Sequence, residues 1–175
     1  ALLARDMLHR HPGKGIIYDL RSSKVVPREI ERLGGRPVRE RVGHSFMKET
    51  MRRKDCIGGG ELSGHFYFAE NYFTDCGVLA AILMLNEMSS AGKSLKELAD
   101  PLRIFHGTGE INFKVDDKEA LMKAVEAQFA DAEIDFLDGI TVTYDDWWVN
   151  VRPSNPEPYL RMCLEADTAE LMETK

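Results

Sequence analysis

The feature that most constrains the fold is the alternation of short apolar runs with helical patterns through the first hundred residues. Helical patterns occur at residues 1–8, from about residue 24 to 33, at 43–53 and at 77–89, and strand candidates at 16–20, 36–40, 55–58 and 66–68. Strands joined by short helical crossovers form parallel sheets with helices on both faces. The order therefore predicts a mainly parallel sheet between helices, with Asp75 capping a strongly apolar helix at the centre of the core.

A different pattern begins near residue 100. Residues 109–115 alternate apolar and polar side chains, and Asp116 is predicted to cap an amphipathic helix that ends near residue 129. Strand candidates follow at residues 140–144, 147–152 and 159–165, with turn signals between them. Hairpin-linked strands after one helix are typical of an α+β unit. We expect an α/β domain over residues 1–102 and a smaller α+β domain with an antiparallel sheet over residues 103–175.

Composition argues against several classes of protein. The net charge of −6 provides no basic face for nucleic acid. The longest apolar run, Val78–Leu85, is too short to cross a bilayer. Because Cys56, Cys76 and Cys163 show no CxxC spacing, we expect a reduced, cytoplasmic protein that binds neither nucleic acid nor membrane. The chain starts inside a helix pattern without Met and stops inside another at Lys175, so we expect a C-terminally truncated piece of a longer protein.

A glycine-rich segment at residues 58–65, which reads GGGELSGH, carries the first candidate site. Glycine lets a backbone turn sharply and approach a ligand closely. Glu61 can accept two hydrogen bonds from neighbouring hydroxyls, and Ser63 can both donate and accept one. These groups suit the vicinal diol of a sugar. The alternative is a tight turn that carries a solvated Glu61.

The second candidate site is the proline-rich loop at residues 152–158. Its three prolines stiffen the loop, because each fixes its own φ and restrains the preceding residue. Arg152 offers a planar guanidinium fork, Ser154 a hydroxyl and Asn155 an amide. This combination suits a tetrahedral oxyanion such as phosphate. The alternative is a hairpin loop whose polar groups face water.

Single residues add weaker indications. Arg21 follows the first predicted strand, where open α/β sheets bind ligands, although an exposed arginine at a helix start is the alternative. His44 starts a helix, where backbone N–H groups favour anions, and a capping or surface role is the alternative. The imidazoles of His9, His11 and His106 show no metal-ligand spacing, and we interpret them as structural or surface groups.

Four of these segments together resemble the α-D-phosphohexomutases, in particular the phosphomannomutase/phosphoglucomutase branch. They lie in the family's order at residues 19–23 (DLRSS), 43–45 (GHS), 60–65 (GELSGH) and 152–158 (RPSNPEP). The resemblance implies domains 3 and 4 of a four-domain enzyme, preceded by the end of domain 2. Domains 1 and 2 would then be missing from this chain and would be its partners in the whole protein.

The resemblance also implies a reaction, the transfer of a phosphoryl group between O1 and O6 of mannose or glucose phosphate through a bisphosphorylated sugar. The family uses a phosphoserine in domain 1 and a Mg²⁺ ion in domain 2, and neither motif occurs in this chain. We therefore expect no bound Mg²⁺ and no mutase activity from this chain alone. By resemblance, Glu61 and Ser63 bind the sugar hydroxyls, and Arg21 and His44 support the bound phosphosugar. Arg152, Ser154 and Asn155 bind the phosphate that is not reacting. His65 is the candidate general acid or base.

Two alternatives stay open at this point. The chain could be part of a phosphoglucosamine mutase, although that subfamily typically carries Gln where this chain has Leu62. It could also be a non-catalytic phosphosugar-binding module that naturally lacks the first two domains. One departure from the family concerns the phosphate loop, where Pro156 replaces a frequent Thr and offers neither a hydroxyl nor a backbone N–H.

Overall fold

The computed structural model describes residues 1–154 and 157–175. The chain forms two compact units, Ala1–Ile104 and Phe105–Lys175, and each has its own sheet and core. The limits predicted for the domains of the whole protein, 1–102 and 103–175, stay a prediction. None of the described helices has the length and apolar character needed to span a membrane.

The first unit alternates helices and strands. In chain order its elements are α1 (Leu2–Arg10), β1 (Gly15–Asp19), α2 (Val25–Arg32), β2 (Arg36–Glu40), α3 (His44–Arg53), β3 (Cys56–Gly60), β4 (Phe66–Phe68), β5 (Thr74–Asp75), α4 (Gly77–Ala91) and α5 (Leu95–Ala99). The strand order is β2-β1-β3-β4-β5. Strand β1 pairs in parallel with β2 and β3, and the short strands β4 and β5 join antiparallel at one edge. The predicted mainly parallel sheet between helices is confirmed.

Side-chain alternation along β1 builds a core on each face of this sheet. Ile16 packs among side chains of α1 and α2, including Leu8 and Ile30. Its neighbour Ile17 packs on the opposite face with Val38 and with Met47 of α3. Successive side chains of a strand point to opposite faces. An apolar pair at these positions therefore needs a helix on each side of the sheet.

The glycines at residues 58–60 complete strand β3, whereas the sequence predicted a strand that ends at Gly58 and a glycine loop beyond it. A Cβ on Gly59 would lie 2.1 Å from the carbonyl oxygen of Ile17, and one on Gly58 would lie 2.6 Å from Met7 Sδ. Gly64 has a φ of +87° and lies in the turn that leads into β4. Close packing of the sheet and turn geometry thus account for these glycines without a ligand.

The N-terminal cap of α4 differs from the prediction. The thiol of Cys76, and not the carboxylate of Asp75, accepts a hydrogen bond from the backbone N–H of Leu79, at 3.4 Å. Asp75 instead belongs to β5, where it pairs with Tyr67. Sheet pairing holds Asp75 one residue too early to cap the helix, so the prediction of an Asp75 cap is wrong.

Helix α4 is also not central to the core. It contacts α1 through one side, where Ala80 is buried. Val78 is 71% exposed, Leu85 is 62% exposed and Ile82 is half exposed, so a second apolar side faces away from the unit. A helix that is apolar all round is normally buried all round. This unit on its own supplies neighbours for only part of the helix.

The second unit is an antiparallel sheet with two helices among its described residues. Its elements are β6 (His106–Lys114), α6 (Lys118–Gln128), β7 (Glu133–Asp135), β8 (Ile140–Thr143), β9 (Trp147–Pro153), β10 (Tyr159–Ala166) and α7 (Ala169–Thr174). The strand order is β6-β10-β9-β8-β7, and every pairing is antiparallel. The predicted α+β unit is confirmed, although Asp117 caps α6 in place of the predicted Asp116.

Candidate functional site

Asp19 organises the loops at the carboxyl edge of the first sheet. Its carboxylate is fully buried and accepts hydrogen bonds from the Arg21 guanidinium (Nε to Oδ2, 3.0 Å) and from the Ser22 hydroxyl (3.0 Å). It also accepts the backbone N–H of Leu62 at 3.1 Å, which ties the loop after β3 to the end of β1. Arg21 is therefore buried and ion-paired, and the alternative of an exposed arginine at a helix start is wrong.

Glu61 follows β3 and is held in one orientation from two directions. Its Oε1 accepts the backbone N–H of Gly43 at 3.1 Å, and its Oε2 accepts the hydroxyl of Tyr67 at 2.5 Å. The Glu61 side chain is 1% exposed. The alternative of a solvated Glu61 on a tight turn is therefore wrong. Hydrogen bonds to a charged group contribute about 1.5–3 kcal/mol each, so this pair compensates much of the cost of burying the carboxylate.

Two imidazoles lie over the Glu61 carboxylate. His44 Nε2 and His65 Nδ1 are each 4.0 Å from Glu61 Oε2, and the two rings are 4.3 Å apart between centroids. Their side chains are 44% and 43% exposed, so the rings separate the buried carboxylate from solvent. Ser63 lies beside them, with its Oγ 3.0 Å from His65 Nδ1. The structure thus brings together predicted residues from two separate segments of the sequence.

Burial, hydrogen bonds and charges at this cluster shift the pKa values of two neighbouring groups, Tyr67 and Asp75. Burial, followed by the hydrogen bond to the Glu61 carboxylate, raises the pKa of the Tyr67 hydroxyl far above its ordinary value, so Tyr67 stays a donor. Burial opposes ionisation of Asp75, but a backbone hydrogen bond, the Lys48 ammonium and the His44 imidazole outweigh it and lower the Asp75 pKa. Asp75 Oδ1 lies 3.5 Å from His44 Nδ1, where a carboxylate orients the imidazole.

The second predicted site begins at the end of β9. Arg152 is largely buried, and its Nη2 donates to Glu110 Oε2 across the sheet at 2.7 Å. The Oγ of Ser154 is buried, and among the described residues it has no hydrogen-bond partner. A buried hydroxyl without a partner costs free energy and is suited to a ligand. Asn155 and Pro156 lie outside the described residues.

Sequence reasoning missed Lys118 at this loop. Its ammonium group donates to the carbonyl oxygens of Ser154 and Glu157, at 2.6 Å each, and so joins the first turn of α6 to both sides of the proline loop. Arg161 was also missed; its Nη1 lies 3.4 Å from Glu110 Oε1. Neither residue belongs to a local motif. Arg161 approaches Glu110 only because β10 pairs with β6 in the sheet.

The Mg²⁺ ion that the resemblance implies does not fit the cluster in the first unit. Mg²⁺ takes oxygen ligands, whereas this cluster offers two imidazole nitrogens and one carboxylate. The geometry supports instead a hydrogen-bonding pocket in which a fixed acceptor, Glu61, and two imidazoles face one small volume.

Comparison with known proteins assigns the chain to a family. Residues 1–104 match the family model "Phosphoglucomutase/phosphomannomutase, alpha/beta/alpha domain III", and residues 110–174 match "Phosphoglucomutase/phosphomannomutase, C-terminal domain". The chain therefore belongs to the phosphoglucomutase/phosphomannomutase family and corresponds to its C-terminal part. The family resemblance and the fold class predicted from the sequence are both confirmed.

Individual relatives show how much of such a protein this chain represents. It is 41% identical over 175 residues to a phosphomannomutase of Methanocaldococcus jannaschii, covering 100% of this chain and 39% of that protein. It is 40% identical to a phosphomannomutase of Escherichia coli, covering 99% and 39%. The crystal structure of a phosphoglucomutase/phosphomannomutase family protein from Burkholderia thailandensis matches with a TM-score of 0.85 at 29% identity, covering 99% and 38%. The chain thus spans about two fifths of the length of the curated relatives it matches.

Proposed function

We propose that this chain is the sugar- and phosphate-binding part of a phosphohexomutase. The whole protein would be an isomerase that moves a phosphoryl group between O1 and O6 of mannose or glucose phosphate through a bisphosphorylated sugar. The phosphoserine and the Mg²⁺ ligands would lie in domains outside this chain. The names of the relatives, phosphomannomutases and a phosphohexose mutase, support this substrate class.

The observation that carries the proposal is the fixed orientation of Glu61 beneath His44 and His65. Glu61 and Ser63 would bind sugar hydroxyls, and His65 would act as a general acid or base beside them. Since the imidazoles cover the carboxylate, their side chains must rotate to admit the sugar. Arg21 would support the bound phosphosugar through its position at the carboxyl edge of the sheet.

The second unit would bind the phosphate that is not reacting. Arg152 supplies the charge, Ser154 supplies a buried hydroxyl whose hydrogen bond is unmade among the described residues, and Asn155 would add an amide. The ion pair with Glu110 orients the Arg152 guanidinium but also neutralises part of its charge. We therefore expect the loop to bind phosphate weakly when the rest of the enzyme is absent.

Glu61→Gln in the full-length protein tests the sugar site. Loss of one carboxylate acceptor should lower turnover of mannose 1-phosphate and glucose 1-phosphate alike, by about 10-fold or more for a lost hydrogen bond to a charged group, because the hydroxyls it binds are shared. Glu70→Gln is the matched control, since Glu70 lies in the same unit but is exposed and pairs with Arg10. Loss of turnover with only one of the two sugars would contradict binding of Glu61 to hydroxyls that both sugars share.

Arg152→Ala tests the phosphate site by calorimetry of the 175-residue chain with glucose 1-phosphate. Binding should weaken by about tenfold or more, which corresponds to one lost charge-assisted hydrogen bond. Arg103→Ala is the control, because Arg103 is an exposed arginine that lies outside the loop and outside the second unit. Equal affinities of the Arg152→Ala variant and the wild type would refute the assignment. Mutase turnover by the 175-residue chain alone would refute the placement of the chemistry in other domains.

A further inference from the structure

The cluster of two imidazoles and a carboxylate has the composition of a transition-metal site. One ligand atom from each of His44, Glu61 and His65 lies within 4.8 Å of the other two. Imidazole and carboxylate groups are common ligands of Zn²⁺ and of other late first-row dications. No spacing in the sequence indicates this set, because only the fold brings His44 beside Glu61 and His65, which lie in another segment.

The distances are close to those that a bound ion needs. Zinc bonds of about 2.0–2.2 Å in a tetrahedral site place neighbouring ligand atoms about 3.4 Å apart. In the structure both imidazole nitrogens are 4.0 Å from Glu61 Oε2. Shifts of roughly half an ångström would close these two distances to Glu61, and the two imidazole ligand atoms, which lie within 4.8 Å of each other, would also have to approach. Rotation of the two half-exposed rings can supply them, while Glu61 stays fixed.

The residues around the cluster orient its ligands in the manner of a metal site. The Tyr67 hydroxyl and the Gly43 N–H fix the Glu61 carboxylate. Asp75 Oδ1 lies 3.5 Å from His44 Nδ1, which leaves His44 Nε2 directed at Glu61, as in carboxylate–histidine–zinc arrangements. His65 Nδ1 would exchange its contact with the Ser63 hydroxyl for the metal.

We infer that His44, Glu61 and His65 form a binding site for a divalent transition metal such as Zn²⁺, with three protein ligands and an open fourth position. The sequence predicts no bound metal, because the family's Mg²⁺-binding motif does not occur in this chain. The inferred site would bind a different metal through different residues. A metal here occupies the acceptor that the sugar needs, so it competes with hexose phosphate. That consequence rests on the proposed function, whereas metal binding itself does not.

Titration of the 175-residue chain with Co²⁺ under reducing conditions tests the site. The expected result is one Co²⁺ per chain, with the visible d–d absorption of a low-coordinate nitrogen and oxygen site and no thiolate charge-transfer band. Zn²⁺ should abolish this absorption by displacement. His44→Asn and His65→Asn should each weaken binding by about 10–100-fold or more, since loss of even an outer-shell partner costs that much.

His11→Asn is the matched control. His11 is also a half-exposed imidazole near a carboxylate, with its Nε2 3.4 Å from Glu70 Oε1, but it does not belong to the three-residue cluster. The inference is overturned if cobalt produces no d–d absorption, if the histidine variants at the cluster bind as the wild type does, or if only His11→Asn weakens binding. Glu61→Gln should also weaken binding, and far-UV circular dichroism separates this effect from misfolding.

A competition experiment then separates the two proposals. Glucose 1-phosphate added to the cobalt-loaded chain should reduce the absorption if Glu61 binds the sugar. The phosphosugar is used at concentrations that bind the metal-free chain. If cobalt binds as expected but its absorption does not change on addition of the phosphosugar, competition is refuted and the metal site stands.

Discussion

Replacement of Gly59 by alanine tests whether the glycines of β3 serve the sheet or the ligand. Where β1 pairs with β3, a Cβ on Gly59 would lie 2.1 Å from the carbonyl oxygen of Ile17 and 2.3 Å from its Cγ2. Real Cβ atoms essentially never approach other heavy atoms more closely than 3.0 Å. The two strands would therefore have to separate locally by about 0.9 Å.

The size of the effect follows from that separation. An N–H···O bond of about 2.9 Å stretched by this amount exceeds the range of protein hydrogen bonds, so ladder bonds beside Gly59 would break. Two lost bonds cost about 1 kcal/mol each, and overpacking adds about 1–3 kcal/mol. We expect Gly59→Ala to lower the unfolding free energy of the first unit by about 3–5 kcal/mol, a large part of the stability of a typical domain.

Urea unfolding followed by far-UV circular dichroism measures this loss. Gly77→Ala is the control, because a Cβ there meets no atom within 4 Å and Gly77 is the first residue of α4. The control should be neutral or up to about 1 kcal/mol more stable. A Gly59→Ala variant within about 0.5 kcal/mol of the wild type but with weakened hexose phosphate binding would show that the glycine serves the ligand, and would refute the packing argument.

Further predictions concern three other positions. Hydrogen bonds from arginines, opposed by burial, hold the pKa of Glu29 at about 2 against an ordinary 4.5, so its stabilisation is present above pH 4.5 and lost as the pH falls toward 2. In urea titrations the unfolding free energy of the wild type should fall between pH 6 and pH 3, and in Glu29→Gln this fall should be smaller by about 1–2 kcal/mol. Tyr67→Phe should cost about 1–3 kcal/mol in urea unfolding, and much less in a Glu61→Gln background, because the two groups share one hydrogen bond. Gly139→Ala should lower the tryptophan-monitored urea midpoint, since its φ is +71° and an added Cβ would lie 2.3 Å from the Val151 carbonyl oxygen.

The elements of this fold were predictable where the signal is local. Strand β2 (Arg36–Glu40) and helix α3 (His44–Arg53) lie where the sequence pattern placed them, because alternation and helical period depend on neighbouring residues only. The two-residue strand β5 was not predictable, since it exists only through pairing with β4. That pairing also explains the wrong prediction of Asp75 as a helix cap.

The candidate site was predictable in its members but not in their arrangement. The sequence identified Glu61 as an acceptor among glycines, but not its burial, which depends on the Tyr67 hydroxyl and the Gly43 backbone. It gave no sign that His44 and His65 lie side by side, because their approach depends on the order of strands in the sheet. Side-chain chemistry can be read locally, whereas burial and distance require the whole fold.

The structure distinguishes three carboxylates at the same edge of the first sheet, namely Asp19, Glu40 and Glu61. Asp19 and Glu40 accept hydrogen bonds from residues that follow each of them in the chain, which are Arg21 and Ser22 for Asp19, and Arg41 and Thr50 for Glu40. These two carboxylates therefore hold loops and a helix in place. Glu61 is also fixed by two donors, but its Oε2 faces half-exposed imidazoles on the solvent side. A sugar hydroxyl can reach this oxygen by displacing the rings, and a metal ion by binding to them, in both cases without breaking the fold. We therefore expect Glu61 to be the carboxylate that binds a ligand at this edge, and loss of Asp19 to act through the structure.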